Sequence, residues 1–175
     1  GQWRYFTSYV APEDGRWCTT VNRADTVEAL DPGNTKRLFT ATELGLEGVK
    51  DPWLMEVNGV YYLFLSVAKS TSTTGDKSHD SLDIFNTGEC VSATALATSI
   101  DLDQWDWQGI VLEPEGGTAW DKYCRRVNSV LPLNGRYYAF YDGSAGHHEN
   151  YEEKTGLAVS DDLKSWEVLS PDGPV

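Results

Sequence analysis

The sequence predicts an all-β chain built from repeated four-stranded antiparallel sheets, the arrangement of a β-propeller. Three observations carry this. One hairpin occurs twice, a second two-strand element follows each copy, and no segment shows the 3.6-residue periodicity of an amphipathic helix.

The hairpin is clearest. Residues 51–66 read DPWLMEVNGVYYLFLS and residues 127–142 read VNSVLPLNGRYYAFYD. Placing Gly59 on Gly135 sets Asn58 on Asn134 and Tyr61-Tyr62 on Tyr137-Tyr138. Asn-Gly between apolar runs is the strongest short hairpin signal, because both residues tolerate positive φ. The second element is ALATSIDLDQWDW at 95–107 and GLAVSDDLKSWEV at 156–168, with Ser99 on Ser160 and Leu102 on Leu163. It reads as a third strand, a turn and a fourth strand. Weaker copies of strands two, three and four lie at 3–9, 17–22 and 37–42.

Residues 1–175 therefore form a single propeller domain, with a partial blade at 1–46 and fuller blades at 47–115 and 116–175. Rings close with about 4–8 blades, and open sheet edges attract partners. Two expectations follow: the chain is part of a longer protein, or it associates with itself through open blade edges.

Composition narrows the function. Seven Trp and nine Tyr suit both strands and stacking on sugar rings. A net charge of −13 repels nucleic acid and anionic membranes, so neither is expected as a partner. The three cysteines, Cys18, Cys90 and Cys124, show no metal or disulfide spacing. There is no signal-peptide pattern in the given residues and no apolar run long enough to span a membrane, and localisation is left open.

Strand direction alternates within a blade. The start of strand 1, the strand 2–3 loops and the blade-to-blade connections therefore share one face. Asp51, the loops 67–90 and 143–155, and the connection 114–126 fall there, where loops on a rigid scaffold usually carry function. Asp51-Pro52 reads either as a strand-entry turn or as a pocket carboxylate. The segment YDGSAGHHENYEEKTGLA offers Asp142, His147, His148, Glu149, Asn150, Glu152 and Glu153. It reads as a solvated acidic loop, as a structural Ca²⁺ site, or as part of an active site. Arg126 and Asn128 would point into the pocket from strand 1, unless Arg126 simply pairs with an acidic loop. Among Trp53, Trp107 and Trp120, core packing suits Trp107, and Trp120 is the better stacking candidate.

GVKDPWLMEVNGVYYLFLS resembles the blade-opening pattern of glycoside hydrolase families 43 and 32, and GLAVSDDLKSW their recurring strand–turn–strand signature. The resemblance implies a five-bladed β-propeller that cleaves glycosidic bonds with a carboxylate acid/base pair and takes a carbohydrate substrate. It needs no cofactor. Asp51 would be a transition-state stabiliser or a modulator of the acid. At the next blade the stretch CRRVN carries no Glu where those families often place the acid, so Glu149 or Glu152 is the candidate acid. Glu89-Cys90 is similar to the Glu-Cys of family 32 but stands before strand 3. The implied site is catalytic Asp51, Glu149 and Glu152, with Trp53, Trp120, Arg126, Asn128, Asp142 and His147 around substrate. Two rivals stay open: phosphorolysis on the same fold, and a carbohydrate-binding propeller without catalysis.

Overall fold

A computed structural model describes residues 1–175, the side chain of Asp76 excepted. Eleven strands follow in order: β1 (Trp3–Val10), β2 (Trp17–Ala24), β3 (Lys36–Thr40), β4 (Gly48–Val57), β5 (Val60–Ser70), β6 (Cys90–Ser99), β7 (Asp106–Leu112), β8 (Cys124–Leu133), β9 (Arg136–Ser144), β10 (Lys154–Ser160) and β11 (Glu167–Val168). Strands β1-β2-β3 form one antiparallel sheet, while β4-β5-β6-β7 and β8-β9-β10-β11 form two runs of four. A single parallel bridge, Ser92 to Cys124, joins the two runs into one hydrogen-bonded path. The buried Thr94 hydroxyl reinforces that junction: it donates to the Arg125 carbonyl (2.9 Å) and accepts from the Val127 N–H (2.8 Å). No sheet closes on itself.

Local chemistry repeats with the sequence. Asn58-Gly59 and Asn134-Gly135 all take positive φ, at 52°, 79°, 52° and 81°, which is the geometry of a tight two-residue hairpin. The β6–β7 and β10–β11 turns also match. Asp101 accepts backbone N–H bonds from Asp103 and Gln104, and Asp162 accepts them from Lys164 and Ser165. Those bonds to the charged form hold both carboxyls below the usual range. Leu102 and Leu163 follow at φ 63° and 66°. The weak copy near the N-terminus differs at its end. Strand β3 stops at Thr40 rather than Thr42, because the Thr40 hydroxyl caps a one-turn helix, α1 (Ala41–Leu44), closed by Gly45 in the left-handed region.

The core lies between the sheets. On β5, Leu63, Leu65 and Val67 face Phe39, Leu46 and the β1–β3 side, while Phe64 faces Val127, Val130 and Tyr141 of the following sheet. Period-two alternation thus buries both faces of the middle sheet, which is why its sequence is a continuous apolar run. The last sheet has only one covered face. Phe140 is exposed where its repeat equivalent Phe64 is fully buried, and Leu131 and Leu133 are exposed beside it.

The long β5–β6 connection is anchored. Ile84 and Phe85 are buried, Thr71 Oγ1 donates to the Glu89 carbonyl (2.8 Å), and His79 Nε2 meets Glu47 Oε2 at 2.8 Å.

Candidate functional site

The two copies of the hairpin meet at one concavity of about 330 Å³. Asp51, Pro52, Trp53 and Ser66 line it from the first, and Arg126, Val127, Asn128 and Asp142 from the second. A cleft of the same volume at the opposite end of the last sheet, around Arg136, Asp161 and Trp166, carries none of these loops.

Two bulges aim the residues. Pairing between β4 and β5 slips between Lys50 and Trp53, and pairing between β8 and β9 slips between Val127 and Ser129. The extra residue breaks the alternation and turns side chains out of the ladder. Asp51 sits on the first bulge at φ 52°, a left-handed conformation that Asp tolerates better than most residues. Its N–H donates to Ser8 Oγ (3.1 Å), and its carboxylate, half-exposed, lies 3.5 Å from Lys50 Nζ. Lys50 in turn lies over the rings of Phe85 (4.6 Å) and Trp17 (5.2 Å). The offset that superposes the hairpins places Lys50 on Arg126 and Ser66 on Asp142, so each hairpin supplies a cation with a polar residue paired opposite.

Charge is concentrated on the second hairpin. Arg126 pairs with Glu153 from the β9–β10 loop, and Asn128 Nδ2 donates to Asp142 Oδ1 at 2.9 Å. Burial pushes the Asp142 carboxyl up; Arg126 and the Asn128 hydrogen bond oppose that rise, while Glu153 and Asp51 add to it. For Arg126, burial opposes the charge, but Cys124, Glu153, Asp142 and Asp51 together outweigh it and its proton is held more tightly. Its Nε has no partner among the described residues. Behind this face, fully buried Asp121 accepts from Arg125 Nε (2.8 Å), Arg125 Nη2 (3.1 Å) and the Tyr141 hydroxyl (2.7 Å), fixing β8 to the preceding connection.

The pocket thus gathers Asp51, Trp53, Arg126, Asn128 and Asp142 of the sequence-predicted set. Trp53 tilts against Phe64 at 5.9 Å and forms the apolar wall. Glu149, Glu152, His147 and Trp120 lie outside the lining. Glu149 accepts the Ala145 N–H (2.7 Å) within its own loop, and Glu152 is exposed. His147 lies edge-on to Tyr123 and against Gly88. Trp120 stacks on Tyr141 (6.1 Å), donates to the Ser170 carbonyl (2.8 Å) and lies so close to Gly143 that a Cβ there would sit 2.5 Å from its ring. Sequence reasoning did not single out Lys50 as a pocket neighbour or Glu153 as the partner of Arg126. The Lys50–Arg126 match under the hairpin offset was the available signal. No group of three or more His, Cys, Asp or Glu residues is placed to hold a metal ion among the described residues. Likewise, no described helix is long and apolar enough to cross a membrane.

Comparison with solved structures matches this architecture to carbohydrate-active propellers. A family 32 β-fructofuranosidase from Bombyx mori superposes with TM-score 0.63 over 99% of the chain and 33% of its own length, at 17% identity. The chain has the fold of part of a glycosidase-like β-propeller. A family 117 glycoside hydrolase from Zobellia galactanivorans gives TM-score 0.54 at 17% identity, covering 69% of this chain and 37% of that one. A β-1,2-mannobiose phosphorylase from Listeria innocua gives 0.51 at 19% identity over 87% and 35%. By sequence, a 1,2-β-oligomannan phosphorylase of Thermoanaerobacter sp. (strain X514) is 29% identical over 127 residues, 71% of this chain. The propeller chain spans 32% of that relative's length. No protein-family model matches it.

Proposed function

We propose that residues 1–175 contribute part of the ring and part of the active site of an enzyme that breaks glycosidic bonds in a five-bladed propeller. The observation that carries this reading is the convergence of Asp51, Asp142 and Arg126 in one concavity formed by two equivalent bulged strands. Cleavage needs one carboxyl that holds a proton for the leaving oxygen and one carboxylate that supports charge at the anomeric carbon. Asp142, whose proton affinity is raised by burial, fits the first role better than Glu149, which is occupied by the Ala145 N–H. Asp51, half-exposed on its bulge, fits the second. Trp53 supplies an apolar face for a sugar ring.

Phosphorolysis is the favoured variant over hydrolysis. Lys50 and Arg126 place two cations beside Asp51, suited to an anionic acceptor, and the relative from Thermoanaerobacter is a phosphorylase. In that reaction a phosphate oxygen attacks the anomeric carbon. The glycosidic C–O bond breaks, the proton from Asp142 goes to the departing sugar oxygen, and a sugar phosphate and a shortened saccharide leave. The test incubates the complete polypeptide with β-1,2-mannobiose or sucrose, with and without inorganic phosphate. Sugar phosphate formed only with phosphate supports phosphorolysis, while free monosaccharide at equal rates in both would establish hydrolysis. Saccharide binding without either product would identify a binding propeller.

A further inference from the structure

Tyr151 has no role in the pocket described above, yet its placement is unusual in three independent ways. The residue is 84% exposed, more than any other large hydrophobic or aromatic residue described. Its backbone sits at φ 69°, a left-handed region that disfavours a bulky L residue. Its hydroxyl is nonetheless held: Asn86 Nδ2 donates to it at 3.0 Å from the other long loop, 65 residues away in sequence. Asn86 is fixed in turn on Asp83. An aromatic ring that is strained, exposed and tethered by its polar tip presents its faces to solvent in a defined orientation.

Each end of this ring is tied to a residue that pairs with a pocket-lining side chain. On the backbone side, Glu153 is two residues on and pairs with Arg126. On the hydroxyl side, Asn86 follows Phe85, whose ring carries Lys50, which lies 3.5 Å from Asp51. Tyr151 therefore bridges the β5–β6 and β9–β10 loops between the neighbours of Asp51 and those of Arg126. Burial of the ring cannot account for the strained backbone, because the ring is not buried.

We infer that Tyr151 is a stacking platform for a sugar ring beyond the one cleaved, and so sets the enzyme's preference for oligosaccharides over single sugars. This rests on the carbohydrate reading of the pocket. The ligand class is a neutral saccharide of two or more rings that presents an apolar C–H face to the phenol ring, while the hydroxyl stays with Asn86. Aromatic contacts of this kind are worth about three- to tenfold in affinity.

The decisive variant is Tyr151→Gly, because glycine occupies φ 69° freely and keeps or raises the melting temperature while deleting the ring. Isothermal titration calorimetry of the complete polypeptide, without phosphate, reports binding of mannose, β-1,2-mannobiose and β-1,2-mannotriose. The expected result is roughly three- to tenfold weaker binding of the two- and three-ring sugars with mannose unchanged, and Tyr151→Phe retaining most of the affinity. Equal affinities for glycine variant and wild type overturn the inference while leaving the carbohydrate reading intact. Equal weakening for mannose and mannotriose also overturns it, since the ring would then shape the inner pocket. A wild type that binds none of the three removes the carbohydrate reading and the platform together.

Discussion

Arg125 gives the sharpest structural prediction, because it lies beside the pocket residue Arg126 but points the other way. Asp121 is fully buried and takes three hydrogen bonds, two from Arg125 and one from Tyr141. Arg125 Nη1 also donates to the Glu113 carbonyl at 3.1 Å. Arg125→Met preserves much of the side-chain volume but leaves Asp121 buried with one donor. Removing one partner of a buried pair costs about 3–5 kcal/mol. For a chain of this size each kcal/mol lowers the melting temperature by roughly 2–4 °C, so a fall of about 6–20 °C is expected. Tyr141→Phe removes a single bond to a charged acceptor and should cost about 1.5–3 kcal/mol. In the double variant Asp121→Asn/Arg125→Met the stranded charge is gone, and much of the loss should return. Differential scanning calorimetry of the three variants reads all of this. A single-variant fall below about 2 °C, or a double variant no better than Arg125→Met, would show that the buried charge is not what holds β8 in place.

Two further predictions follow from the fold. The Asp142 carboxyl is raised in the folded state, so the protein binds its proton more tightly folded than unfolded, and stability from this group falls as pH rises through the folded-state value. Asp142→Asn should therefore match wild type in acid and melt higher at neutral pH, while losing activity; a variant less stable than wild type at pH 7 would contradict the burial argument. The exposed Leu131, Leu133 and Phe140 form the face that the middle sheet covers with its neighbour. Leu131→Lys with Phe140→Ser should reduce self-association of the 175-residue chain in analytical ultracentrifugation, and an unchanged distribution would show that this face does not mediate it.

The repeat was legible because its determinants are local. Asn58-Gly59 and Asn134-Gly135 fix their hairpins by backbone preference, and Ser99-Asp101 and Ser160-Asp162 fix their turns by side-chain bonds two to three residues away. Once the hairpins are aligned, strand direction alone brings Asp51, Arg126 and Asn128 to one end. The carboxyl opposite Arg126 was harder to read. A bulge at 127–129 shifts the pairing, and a one-residue slip moves side chains to the other face, so Asp142 stood in the sequence as a binding residue among a crowd of loop acids. Trp120 shows the converse. It lies on the expected connection, but a glycine at position 143 lets its ring settle against Tyr141 instead of facing the pocket. Tyr151 gave no signal, because positive φ at a non-glycine residue leaves no mark in sequence.

The central claim is that Asp51 works with Asp142 and Arg126 on a glycosidic bond. The most direct measurement is turnover of Asp51→Asn in the complete polypeptide against β-1,2-mannobiose with phosphate, alongside wild type and with melting temperatures compared. The substitution keeps the shape of the side chain and removes its charge. Turnover should drop by roughly a thousandfold or more with the melting temperature nearly unchanged. Turnover within about twofold of a wild type that is itself active would place the chemistry elsewhere.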